Sequence, residues 1–243
     1  MNRTLAVAAA GMATQQLVLD DIAANLANVD VPGFRVSRAD FAALITADGR
    51  AIAPQTAAPQ RLFTQGRLDF TNNDHDLAVD GEGLFAVRTT GGQLAFTRAG
   101  NFESDRNGRL RLPNGAALDG VRLPAATTSV RVDENGRIAC QVAGRRGDIP
   151  GGRVRLVTFD DNAALRLDPD GLFHPAAAAG HMHRASDNNP LGRIKQRYLE
   201  RANVTVVSAM MAVLAAQRAY EANAKAVQAA DEMLRLANNL ERG

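Results

Sequence analysis

The feature that most restricts the fold is an uninterrupted helical pattern from Thr205 to Leu240, which contains neither glycine nor proline. Two rows of residues, three positions apart, recur along it at every seventh position. The first row is Val206, Val213, Tyr220, Val227 and Leu234, and the second, mostly small, is Ala209, Ala216, Asn223, Ala230 and Ala237. Such heptads predict packing of helix against helix along a line. At 1.5 Å per residue this helix would be roughly 54 Å long, so a partner must lie along it.

The first 29 residues carry a second heptad pattern. One row is Leu5, Met12, Leu19 and Leu26, and its companion is Ala8, Gln15, Ile22 and Val29. The rest of the surface is rich in alanine and almost uncharged as far as Asp20. A helix that is apolar over so much of its surface needs partners on several sides. The alternative is that this helix is simply the edge of a globular core.

We therefore predict that the two ends of the chain form helices that pack against each other and against copies of themselves. The predicted assembly surface is Leu5, Met12, Leu19, Ile22, Leu26, Val206, Val213, Tyr220, Val227 and Leu234. The small second row would let the backbone of a partner helix come close.

The middle of the chain changes to a strand-like period. The apolar runs are 84–87, 94–97, 110–112, 130–132, 138–142 and 154–157, and the breaks between them include Gly91–Gly92, Asn107–Gly108, Asn114–Gly115 and Asn135–Gly136. Asn-Gly pairs are typical of tight hairpin turns, so an antiparallel β domain is predicted. Residues 176–196 read as a loop.

These patterns predict an α+β fold with a discontinuous, coiled-coil-like helical layer and an inserted, mainly antiparallel β domain. Residues 1–32 and 203–243 would form the helical assembly core, 33–62 a connector, and 63–202 the β-rich domain. Asn203 or Thr205 is expected to cap the last helix.

Composition excludes several classes of function. The formal net charge is only +2 over 243 residues, and without a basic stripe nucleic acid is not an expected partner. No apolar stretch reaches the length of a membrane span, and the N-terminus does not resemble a cleavable signal peptide. The single Cys140 cannot form an internal disulfide, and its alternation with Ile138 and Val142 predicts a small buried side chain.

Motifs for catalysis are missing from the sequence. It contains no phosphate-binding loop, dinucleotide fingerprint or Gly-x-Ser-x-Gly elbow, so we expect no enzyme activity, no cofactor and no metal. An alternative of another class is a small metal-binding β protein or enzyme with helical dimerisation arms. It would require His174, His181 and His183 to converge.

Five segments resemble the signatures of bacterial flagellar rod and hook proteins. The first is Ile22 to Val29 followed by Gly33–Phe34, with Asn25, Leu26 and Asn28 as motif residues. The last runs from Gln217 to Val227, with Gln217, Arg218, Tyr220 and Asn223, and continues into 231–234. Between them lie 76–87, 97–102 and the Tyr198-Leu199-Glu200 segment that leads to Asn203.

The resemblance implies a structural subunit of the flagellar basal-body rod, the axial drive shaft that transmits torque from motor to hook. It implies type III export without a cleaved signal and a periplasm-spanning location. Its expected partners are copies of itself in a helical homo-oligomer, other rod and hook subunits, and the flagellar export apparatus. The distal rod type is indicated, whereas the short stretch between Phe41 and Arg61 leaves a proximal rod or hook-related subunit open.

Overall fold

The two heptad patterns form two long helices, α1 (Arg3–Ala27) and α2 (Val206–Leu240). The computed structural model describes residues 3–38, 41–42, 55–56, 60–186 and 191–240. Thr205 caps α2, because its Oγ1 accepts a hydrogen bond from the Ser208 amide over 3.2 Å, while the Thr205 amide donates to Ser208 Oγ over 3.3 Å. This reciprocal pattern satisfies amides at the start of the helix that have no partner within it.

Contacts divide the chain into two compact units. The helical unit contains residues 1–27, 37–62 and 204–243, and the β-rich unit contains 28–36 and 63–203. The residues that follow α1 therefore belong to the β-rich unit, whereas most of the predicted connector belongs to the helical unit.

Among its described residues, the helical unit also contains four short strands. They are β1 (Ser37–Arg38), β2 (Phe41–Ala42), β3 (Gln55–Thr56) and β4 (Gln60–Arg61). β1 pairs with β4 and β2 with β3, both antiparallel, so these parts of the predicted connector form two separate two-stranded pairs. The sequence indicated no strand here, because the glycines and prolines of this stretch hid the pattern.

The β-rich unit contains the other strands, and every described ladder is antiparallel. They are β5 (Leu68–Phe70), β6 (Leu77–Asp80), β7 (Leu84–Arg88), β8 (Leu94–Thr97), β9 (Glu103–Ser104), β10 (Leu110–Arg111), β11 (Ala117–Leu118), β12 (Thr127–Val132), β13 (Arg137–Val142), β14 (Ile149–Arg153), β15 (Leu156–Phe159), β16 (Arg166–Leu167), β17 (Phe173–His174), β18 (Met182–Arg184), β19 (Arg193–Gln196) and β20 (Tyr198–Glu200). Two 3₁₀ turns lie at Asn162–Ala164 and Ala177–Ala179.

The largest sheet has the strand order β16-β17-β8-β7-β11-β10-β9, with β15 also on β7 and β18 on β15. A second sheet is β12-β13-β14, and the pairs β19-β6 and β20-β5 complete the unit. The predicted hairpins are confirmed, for example at Gly136, whose φ is 81° in the turn between β12 and β13.

The core of the β-rich unit is built from the inward residues of these strands. Phe85 and Phe102 are fully buried and meet edge to face, with ring centroids 5.7 Å apart. Cys140 is buried in the same cluster, which confirms its predicted role. Burial raises the pKa of the Cys140 thiol, and the nearby Asp148 carboxylate adds to that effect.

The prediction that residues 176–196 form a loop is wrong for β18 and β19. All three residues of β18 are exposed, so no alternation marked it, and in β19 only Ile194 is buried. β19 pairs with β6, with Ile194 opposite Val79. The partner strand lies more than a hundred residues away in sequence, so local pattern could not reveal the pairing.

None of the helices in the described part of the chain has the length and apolarity needed to cross a membrane.

Candidate assembly site: the terminal helix pair and a buried ion cluster

The two terminal helices pack against each other through their small residues. Ala209, Ala216 and Ala230 of α2 and Ala8 of α1 are all buried. At Gly11 of α1, a Cβ atom would lie only 2.8 Å from Nδ2 of Asn223. The predicted small row is therefore the contact row, and it brings the two backbones close together.

The larger predicted residues lie at the flanks of this contact. Met12, Leu19, Ile22, Leu26, Val213 and Val227 are half-buried, whereas Val206 and Tyr220 are exposed by 41% and 40%. The side chains of Leu5 and Leu234 lie outside the described part of the structure. The helix pair alone therefore leaves much of the predicted surface accessible to solvent.

An apolar stripe on the outward side of α2 was missed by the sequence analysis. It consists of Val207, Met210, Met211 and Leu214, which are between 56% and 69% exposed. Their spacing of i, i+3, i+4 and i+7 puts them on one helix face, and that spacing was readable from the sequence. We call these four residues the α2 stripe.

Asn25 joins the end of α1 to the first strand of the helical unit. Its Nδ2 donates to the Ser37 carbonyl oxygen over 2.8 Å, and the Ser37 amide donates to Asn25 Oδ1 over 2.9 Å. The Ser37 hydroxyl donates to Asp21 one turn earlier. This motif residue thus holds β1 beside α1 through a pair of buried hydrogen bonds.

In the β-rich unit, two arginines share one buried carboxylate. Arg35 Nη2 lies 2.8 Å from Glu200 Oε1, and both side chains are 0% exposed. Arg98 Nη1 lies 3.1 Å from Glu200 Oε2. We call Arg35, Arg98 and Glu200 the ion cluster. Sequence analysis quoted Arg98 and Glu200 within motifs but assigned no role to any of the three.

Backbone groups complete the ion cluster. The Gly66 amide donates to Glu200 Oε1 over 2.8 Å. Arg98 also donates to the carbonyl oxygens of Val79 and Gly81, over 3.2 and 2.6 Å. Burial lowers the pKa of Arg98 to about 10, and the Glu200 carboxylate opposes this shift. Because about 10 is still well above neutral pH, Arg98 is charged there, and the cluster carries two positive charges against one negative charge.

The cluster lies where the separate sequence motifs meet. Gly33 has a φ of 70°, and a Cβ there would be 2.3 Å from the Ala99 amide nitrogen. The Gly33 amide donates to the Glu200 carbonyl oxygen over 2.7 Å. The motif segments 33–34, 97–102 and 198–200 therefore converge in one place.

Asn203 strengthens this junction and does not cap α2. Its Oδ1 accepts from the Val36 amide over 2.7 Å, and its Nδ2 donates to the Thr64 carbonyl oxygen over 3.1 Å. Two other motif residues on the segment after α1, Asn28 and Phe34, are half-buried, whereas Gln217 and Arg218 on α2 are exposed.

The three histidines of the alternative hypothesis lie in two separate places. There, a ring nitrogen of His174 and of His183 and the backbone amide of His181 contact carboxylates. His174 Nε2 lies 2.8 Å from Asp168, and His183 Nε2 lies 2.6 Å from Asp160, which also accepts from the His181 amide. Among the residues that the structure describes, no three His, Cys, Asp or Glu side chains are placed to hold a metal ion.

Three family models match successive parts of the chain. Residues 5–35 match the flagella basal body rod protein model, 78–140 match the flagellar hook protein FlgE/F/G D1 domain, and 195–240 match the flagellar basal body rod FlgEFG protein C-terminal model. These matches include α1, Arg35, Arg98, Glu200 and α2. They define the class as a structural protein of the flagellar axis.

Relatives cover the chain from end to end. The flagellar basal-body rod protein FlgG of Borreliella burgdorferi is 34% identical and covers 100% of both chains. FlgG of Caulobacter vibrioides is 30% identical over 98% of this chain and 99% of its own. The rod protein FlgF of Salmonella typhimurium is 31% identical over 96% of each. The chain belongs to the flagellar basal-body rod protein family and is a structural subunit of the basal-body rod.

Proposed function

We propose that this subunit builds the rod by helix packing between copies, and that the α2 stripe is a principal contact. Each helix pair would place its outward apolar surface against the helices of neighbouring subunits. A contact between different surfaces of identical subunits that does not close into a ring produces a helical assembly. Such an assembly would transmit torque from motor to hook.

The observation that supports this proposal is the exposure of the α2 stripe. Four neighbouring large apolar side chains on one helix face are costly to leave in water, and clusters of this kind mark interaction sites. Methionine adapts to irregular partners, and two of the four residues are methionines. Within the described part of the chain, these side chains are more than half exposed.

Copies of the same chain are the expected partners, because α1 offers a complementary surface. The exposed positions of α1 are mostly alanine, at 9, 13, 23, 24 and 27, with Leu17 exposed among them. A small-residue face accepts large side chains from a neighbouring helix and allows close approach. Other rod and hook subunits would join through the same helical layer at the two ends of the assembly.

Export through the flagellar type III apparatus and a periplasm-spanning location are part of the same proposal. The family match to a basal-body rod protein supports the location. For the position along the rod, the distal type is the first candidate because the sequence resemblance indicates it. The short stretch between Phe41 and Arg61 favours a proximal position as the second. Deletion of the gene and electron microscopy of the remaining basal bodies would distinguish the two by where the rod stops.

The test of the α2 stripe is the double substitution Met210→Asp with Leu214→Asp in the full chain. Each buried apolar side chain contributes about 1.5–3 kcal/mol, so losing two should weaken a contact by more than about 100-fold. We expect no swimming and no variant protein in purified basal bodies, with unchanged β-sheet circular dichroism of the purified variant.

A matched control adds the same two charges elsewhere on α2. Gln228 and Ala229 are exposed and lie outside the stripe, so Gln228→Asp with Ala229→Asp should reduce incorporation much less. Normal swimming of the stripe variant, or equal loss in the control, would contradict the assignment of the stripe. The pair Val213→Asp and Val227→Asp tests the half-buried flank and should also abolish assembly.

A further inference from the structure

The β-rich unit contains two segments that adjoin the terminal helices in sequence, which we call the passages, and they lie side by side. The first is the segment 28–36 that follows α1, and the second is 200–203, which precedes α2. Gly33 donates to Glu200 and Val36 donates to Asn203, over 2.7 Å each. Residues more than 160 positions apart in sequence are thus joined directly after α1 and directly before α2.

The ion cluster links these passages through contacts between side chains. Arg35 belongs to the first passage, Glu200 to the second, and Arg98 follows β8 in the large sheet. One carboxylate therefore connects both passages to the sheet, with Gly66 as a further donor. A purely apolar contact could fill this space, but it would not select one register of the two segments, since apolar packing is not directional.

We propose that Glu200 is the positioning residue for assembly: its carboxylate fixes the first passage, which follows α1, beside the second, which precedes α2. This inference rests on the proposed function of the helices and adds a residue that lies outside them. It differs from a role in stability alone, because it concerns the placement of 28–36 and not the integrity of the sheet.

The burial of the cluster supports this role. Arg35 and Glu200 are completely buried, Arg98 is 4% exposed, and the positive charges exceed the negative. Removal of one partner from such a group leaves charge without compensation in a dry environment. Each guanidinium also donates to carbonyl oxygens, Arg98 to Val79 and Gly81 and Arg35 to Thr64, so the Glu200→Gln change removes the charged group that the two arginines share.

The first experiment is amide hydrogen exchange on the full-length Glu200→Gln variant as a dilute monomer. The amides of Gly33 and Val36 should exchange at least about 10-fold faster, while the amides of β7 and β8 change little. The control is Asp69→Asn on β5, the strand that pairs with β20. It breaks the surface ion pairs of Asp69 with Arg67 and Arg201. It should leave the Gly33 and Val36 amides protected.

The second experiment separates positioning from charge balance. Combining Glu200→Gln with Arg35→Met restores the original excess of one positive charge but removes the connection between the passages. We expect the melting temperature to recover most of the loss, with Gly33 and Val36 still unprotected and the variant still poorly incorporated into basal bodies.

Three outcomes would overturn the proposal: unchanged protection at Gly33 and Val36, equal loss throughout the sheet, or recovery of incorporation together with melting temperature. The exchange measurement needs no assembly, so it can fail or succeed independently of the α2 stripe. If the stripe variant assembles normally while Glu200→Gln still releases Gly33, the proposed contact is wrong but the junction stands.

Discussion

The two units of this protein differ in how completely they bury their large apolar side chains. The β-rich unit buries large side chains such as Phe85, Phe96 and Leu77 almost completely, and encloses an ion cluster as well. The helical unit buries mainly alanines and leaves Met211 and Leu214 more than half exposed. Alanine burial contributes little free energy, because the hydrophobic effect scales with apolar area.

The difference shows which part of the molecule needs neighbours. A unit with a closed core is stable by itself, whereas a pair of long helices in contact through small residues gains most of its stability from further packing. Under the proposed function, the β-rich unit is the folded body of the subunit, and the helical unit is the part that assembly would complete. Each prediction below tests this contrast.

The largest effect is expected from truncating core residues of the β-rich unit. Phe85→Ala removes a fully buried ring that meets Phe102, so the free energy of unfolding should fall by about 3–5 kcal/mol. Met211→Ala on the helical unit removes a side chain that is 67% exposed, and should change monomer stability by less than about 0.5 kcal/mol. Urea unfolding of both purified monomers measures the difference. Equal losses of unfolding free energy would show that the helical unit already packs its apolar side chains as completely as the β-rich unit does.

A smaller effect on stability is expected from substituting Gly33, which follows α1 in sequence but packs in the β-rich unit. A Cβ there would overlap the Arg98–Ala99 peptide, and φ is positive. We expect Gly33→Ala to destabilise the β-rich unit by about 3 kcal/mol, of which 1–2 kcal/mol is the backbone term.

The matched control for Gly33 is Gly171→Ala. Gly171 has a similar φ of 76° with nothing within 4 Å of its Cβ position, so only the backbone term of about 1–2 kcal/mol should remain. Thermal unfolding compares the two variants. If they melt together, residues 28–36 are not packed as described.

The smallest effect should be the contribution of Asp105 to the loss of stability of the β-rich unit at acid pH. The Arg109 amide and the Arg111 guanidinium hold the pKa of Asp105 below its ordinary value of 3.8. Since the folded pKa is the lower one, this stabilisation is present above pH 3.8 and is lost as the pH falls further.

Urea midpoints at about pH 5 and about pH 3 would measure this acid term. The wild type should lose more stability between the two conditions than Asp105→Asn, which has no carboxylate to protonate. An identical loss in both proteins would place the acid-sensitive groups elsewhere.

Much of the architecture could be predicted from periodicity alone. The heptads located α1 and α2 to within about two residues at each end, and the Asn-Gly turns located the hairpins around β9 to β13. Local pattern suffices here because hydrophobic repeat and turn chemistry act over a few residues. In the small row of α2, Asn223 lies close to Gly11 of α1, where a Cβ atom would be 2.8 Å from its Nδ2.

What local pattern could not supply were pairings between distant segments. β19 carries one buried residue, Ile194, and owes its conformation to β6. Glu200 looked like an ordinary charged residue on a strand, yet it is fully buried between Arg35 and Arg98. A charge is buried only when the fold brings its partners to it, and no short window of sequence contains all three.

The sequence by itself determined the two helices, the antiparallel hairpins and the family, because each depends on periodicity or on motifs that can be read along the chain. Only the tertiary structure decided which helix face is covered and which is left to neighbours. It also decided that the residues after α1 and before α2 meet at one buried carboxylate. Burial and charge pairing are properties of residues brought together in space, and they follow only when the whole chain has folded.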